Sequence, residues 1–150
     1  MEKKLYTRAF WLAILTVGYN LIEGVVAIYF GLEDETLALF GFGVDSFIEV
    51  LSGAGIIAMI LRIRQNPDTE RGEFEKTALR ITGVSFYILA VGLTATVIVN
   101  LINGHKPETT TAGLIISAIS IFTMWLLIRA KRNVGNQLNS APILADANCT

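Results

Sequence analysis

Four apolar runs of bilayer-spanning length, residues 9–30, 37–61, 81–102 and 111–128, leave this chain of 150 residues few ways to fold. In lipid every backbone N–H and C=O must find its partner within the protein, so each run is expected to be a helix. Polar segments separate them. Residues 31–36 form an acidic turn, 65–77 carry Pro67 and Gly72 among charged and amide side chains and read as a loop ending in a short surface helix, and Asn103-Gly104-His105-Lys106-Pro107-Glu108 breaks the third run. A polar linker is expected over 133–140, and Pro142 suits the first turn of a further helix. The expected fold is therefore an all-α integral membrane bundle of four full transmembrane helices plus the beginning of a fifth. It forms one transmembrane domain over 1–150 with no soluble domain. Composition agrees: 53% of residues are hydrophobic, 17% are charged, and the mean hydropathy is +0.56, too apolar for a soluble domain. A single cysteine excludes an intramolecular disulfide, and the first run lacks a small-residue cleavage pattern, so it reads as a retained helix.

The cations orient the bundle. Of the 12 Lys and Arg residues, all but Lys106 fall in the amino-terminal segment, the 65–77 loop with its flanks, or the end of the fourth run. By the positive-inside rule these segments, and with them the amino terminus, are expected to be cytoplasmic. No basic patch with interleaved aromatics points to nucleic acid, and no Gly-rich phosphate-binding loop points to a nucleotide-driven pump.

Within the second run stand Asp45 and Glu49. An ionisable side chain at membrane depth is costly enough to mark a functional site. Counted from Leu37 at 1.5 Å per residue, Asp45 lies roughly 12 Å and Glu49 roughly 18 Å into the helix, near the middle of a bilayer. A spacing of four places both on one face with Cβ atoms roughly 6 Å apart, so that their oxygens can hold one divalent cation together. Such a site must shed protons to take metal, which makes it a metal/proton exchange element. The competing role is interhelical glue, a protonated carboxyl hydrogen-bonding a neighbouring helix.

Asn20 and Glu23, at an i, i+3 spacing, share a face in the middle of the first run and are expected either to support the metal site or to serve as packing glue. Gly41, Gly43, Gly53 and Gly55, with Ser46 and Ser52, read as positions that let another helix approach the second. His105, the only histidine, reads as a solvated loop residue. Cys149 follows Pro142 by about two turns, so it lies roughly 10 Å into a helix entered from the cytoplasm, deep enough to meet the second-helix site.

These residues resemble the cation diffusion facilitator, or cation efflux, family of divalent-metal/proton antiporters. The matching pieces are Asn20-Leu21-Ile22-Glu23-Gly24, Leu37-Ala38-Leu39-Phe40-Gly41 leading into Asp45-Ser46-x-x-Glu49, Ala78-Leu79-Arg80-Ile81-Thr82-Gly83, and Ser140-Ala141-x-x-Leu144-Ala145-Asp146-Ala147. The resemblance implies a transport site shared by the second and fifth helices, with Asp45, Glu49 and Cys149 as metal ligands and Asn20, Glu23 and Asp146 supporting them. The family usually has Asp as the second carboxylate and His where Cys149 stands, and its fourth ligand would lie beyond Thr150. The resemblance thus implies a member truncated after the start of its fifth helix. It also implies a homodimer in a plasma, or inner, membrane, with protons and a divalent cation as exchanged substrates and no resident cofactor. Two carboxylates plus a thiolate would suit zinc, cadmium or ferrous iron, whereas carboxylates and water alone would suit manganese.

Two other classes compete. Gly41-Phe42-Gly43-Val44-Asp45 faintly matches the Gly-x-Gly-Asp of intramembrane aspartyl proteases, with Asp146 as the only partner available, but an extra residue precedes the Asp, and no enzyme is expected. The other is a non-transporting membrane module for binding or regulation, derived from such a transporter.

Overall fold

A computed structural model describes residues 2–33, 37–65, 71–104 and 110–150, with all their side chains except those of Glu2, Glu33, Leu37, Arg71 and Cys149. The described residues form α1 (Glu2–Glu33), α2 (Leu37–Gln65), α3 (Arg71–Asn103), α4 (Thr111–Leu138) and the short α5 (Ala141–Cys149), with no strand among them. The first four are long and apolar enough to cross a membrane. The chain is an all-α membrane protein.

Each long helix overruns its apolar stretch on the charged side. Helix α1 starts at Glu2, α2 continues to Gln65, α3 begins at Arg71 and α4 runs on to Leu138. Hydropathy marks where lipid ends; Lys, Arg and Glu are good helix formers and do not stop a helix there. Most of the 65–77 segment expected as a loop is therefore helix, and 66–70, like 34–36 and 105–109 with His105, lies outside the described residues. The linker expected over 133–140 shrinks to a sharp turn. Asn139 takes the left-handed conformation (φ 48°), its N–H and that of Ser140 reach the Gly135 and Asn136 carbonyls, and Pro142 then opens α5.

Packing is inverted relative to a soluble bundle. Ile22, Tyr87, Val91, Leu101 and Ile102 face outward, while Thr16, Asn20, Glu23, Ser46, Glu49, Ser52, Thr82, Lys131 and Asp146 are buried. An apolar exterior around a polar seam suits a bundle solvated by lipid. The apolar core sits at the charged end, where Leu5, Tyr6, Ala9 and Ala13 of α1 meet Ile56, Met59 and Ile60 of α2, Ala78 of α3, Val134 and Leu138 of α4, and Ile143 of α5.

Small residues set the tightest seam, α1 against α2. A Cβ on Gly43 would stand 2.7 Å from Ile28 Cγ1 and 2.9 Å from the Gly24 carbonyl, and one on Gly53 would stand 2.7 Å from Val17. Only glycine lets the backbones come this close, as expected at both positions. Gly55 meets Ile81 of α3, whereas Gly41 has only an ordinary contact with Leu93.

Candidate metal centre

The close α1–α2 approach brings Asn20 and Glu23 against the face of α2 that carries the carboxylates. Asn20 Nδ2 donates to Glu49 Oε2 at 2.6 Å, and one turn away Ser46 Oγ donates to Glu23 Oε2 at 3.0 Å. The two cross-helix pairs run antiparallel, so 20 faces 49 and 23 faces 46. Asn20, Glu23 and Glu49 are buried, and Asp45, one turn before Glu49, is half-buried. Two buried oxygens, Asn20 Oδ1 and Glu23 Oε1, have no hydrogen-bond partner. The face pairing expected for Asn20 with Glu23 is present, and it is turned toward α2.

A second polar layer lies one turn further toward the charged end. Ser52 Oγ donates to Asp146 Oδ1 at 2.8 Å and lies 3.0 Å from the Thr82 hydroxyl, which ties α2 to α5 and α3. Asp146 Oδ2 pairs with Lys131 Nζ of α4 at 2.8 Å, and Nζ also donates to Thr150 Oγ1 at 3.0 Å. Asp146 is thus held by Ser52 and Lys131.

Helix α5 runs antiparallel to α4, since Lys131 pairs with Asp146 while Gly135 packs on Leu144. It is therefore antiparallel to α2 as well. From the Ser52–Asp146 contact, three residues up α5 and three back along α2 are each about 4.5 Å of rise, which brings position 149 level with Glu49. The Cys149 side chain lies outside the described residues. Among the described residues no three His, Cys, Asp or Glu side chains converge as a metal-holding group.

Lys131 was not anticipated as part of this interior. By sequence it is one of three cations ending α4, yet it shares the buried stripe of Ser120, Met124, Val134, Gly135 and Leu138, whose spacings of three, four and seven mark one helical face. Arg129 and Arg132 fall off that stripe: the first stacks on Trp125 at 4.2 Å and the second holds Asn148 Oδ1 at 2.8 Å. Periodicity was the available signal.

A family model described as the cation efflux transmembrane domain matches residues 9–148. No curated protein and no solved structure matches the chain.

Proposed function

The chain belongs to the cation efflux family, whose members carry metal ions across membranes, and from that premise we propose that it binds a divalent cation at mid-membrane on Asp45 and Glu49 and exchanges it for protons. The observation that carries this reading is Glu49, a carboxylate buried at bilayer depth one turn from Asp45, its Oε2 held by Asn20. Ligation needs ionised carboxylates, so cation and protons compete for the same oxygens. Exchange between the two sides then requires the helices around this face to rock between inward- and outward-open arrangements. In this reading Cys149 of α5, whose backbone position falls level with Glu49, is the third donor.

Isothermal titration of the full chain with zinc tests the site. Asp45→Ala should abolish binding while circular dichroism stays helical; unchanged affinity would overturn the assignment. The amino terminus is placed in the cytoplasm on the distribution of cations. Reaction of Asn66→Cys, in a Cys149→Ser background, with an impermeant thiol reagent added outside intact cells would reverse that orientation.

A non-transporting binding or regulatory module is the second reading, favoured by the absence of three converging metal-holding side chains among the described residues. It predicts metal binding without metal flux into proteoliposomes.

A further inference from the structure

We propose that Asn20 is a positioning residue for the carboxylate site: its amide holds Glu49 by one oxygen, leaves the other for a cation, and so favours ions that take few ligands. The inference rests on the carboxylate-site reading above and names the class of cation that site prefers. Asn20 Nδ2 donates to Glu49 Oε2 at 2.6 Å, and Asn20 is 0% exposed. Its Oδ1 has no hydrogen-bond partner, so among the described residues Glu49 is all that this amide serves. An asparagine kept only to join two helices would use both ends, because a buried acceptor left unpaired is costly.

The seam fixes this amide from both sides. On α1, Asn20 lies between Val17 and Gly24, and on α2, Glu49 lies between Gly53 and Gly43. A Cβ on Gly53 would stand 2.7 Å from Val17 Cγ2, and one on Gly24 would stand 3.1 Å from the Gly43 carbonyl. The two backbones are thus pressed together on either side of the Asn20–Glu49 bond, and the donor cannot draw back from the carboxylate unless the helices part. A hydrogen bond from a fixed donor orients a ligating carboxylate and decides which of its oxygens meets the ion. With Oε2 held, Glu49 gives one oxygen where a free carboxylate can give two. Four-coordinate Zn²⁺ is satisfied by one oxygen from each carboxylate. A cation that gathers six or more oxygens, such as Mn²⁺ or Ca²⁺, gains from bidentate ones.

Most donor sets bind Zn²⁺ more tightly than Mn²⁺, so the test compares ratios between variants. Zn²⁺ and Mn²⁺ titrations of the full chain in nanodiscs are run on the wild type, on Asn20→Leu, which keeps the volume of the side chain without its donor, and on Asn20→Ala. Both metals compete with the same protons for the same carboxylates, so a change in proton competition cancels from the ratio of their affinities. That Zn²⁺/Mn²⁺ ratio should fall about tenfold or more in both variants while circular dichroism stays helical. In infrared difference spectra the metal-bound wild type should show the wide separation of asymmetric and symmetric carboxylate stretches that marks ligation by one oxygen. Mn²⁺-bound Asn20→Leu should add the narrow separation of a bidentate carboxylate. An unchanged ratio and unaltered carboxylate bands in both variants, with binding abolished in Asp45→Ala, would overturn the role of Asn20 and leave the carboxylate site standing. Intact binding in Asp45→Ala would overturn both.

Discussion

Lys131 Nζ and Asp146 Oδ2 form a 2.8 Å ion pair inside the bundle, with side chains only 3% and 4% exposed. Breaking such a pair from one side strands the other charge in a low-dielectric interior, at a cost of about 3–5 kcal/mol. Lys131→Ala should therefore lower the thermal unfolding temperature of the protein in detergent sharply. The double variant Lys131→Met/Asp146→Asn, which leaves no unpaired charge, should recover most of the loss. A Lys131→Ala protein as stable as the wild type would show that the pair does not hold α5.

The α1–α2 seam should tolerate no added methyl at Gly43. Gly43→Ala puts a Cβ against Ile28 and the Gly24 carbonyl, and overpacking of this kind costs about 1–3 kcal/mol. Gly18→Ala meets nothing within 4 Å and should be neutral or slightly stabilising through helix propensity. Equal melting temperatures for the two variants would contradict the close approach that brings Asn20 to Glu49.

These two cases mark what was legible in the sequence. The apolar runs announced the four long helices because lipid forces any such run to satisfy its own backbone, and the glycines announced the seam because close backbones admit nothing larger. Helix ends were not legible: the charged flanks continue the helices, and the real stop before α5 is a left-handed Asn139 rather than a change of hydropathy. Asp45 and Glu49 stood out as carboxylates in an apolar run. Lys131 did not, because a cation just past an apolar run looks like an interface anchor until its place on the buried stripe of α4 is counted. The orphaned oxygens of Asn20 and Glu23 depend on how α1 sits against α2, which no spacing within α1 reveals.

A thiolate at position 149 should be visible directly. With the backbone at that position level with Glu49, Cd²⁺ bound at the site should give the sulfur-to-metal charge-transfer band in the ultraviolet, and Cys149→Ala should abolish it. Because thiolate ligation also displaces a proton, the variant should release fewer protons per metal bound. No band in the wild type at saturating Cd²⁺ would remove Cys149 from the site.

The central claim is that Asp45 and Glu49 exchange protons for a divalent cation. The most direct measurement is proton release on metal addition to the purified full chain in weakly buffered nanodiscs, compared with Asp45→Asn/Glu49→Gln. Protons compete with the cation for the same oxygens, so affinity should fall as pH is lowered, and each metal bound by the wild type should release protons that the double variant cannot. Equal proton release and equal metal affinity in the two proteins would contradict the account.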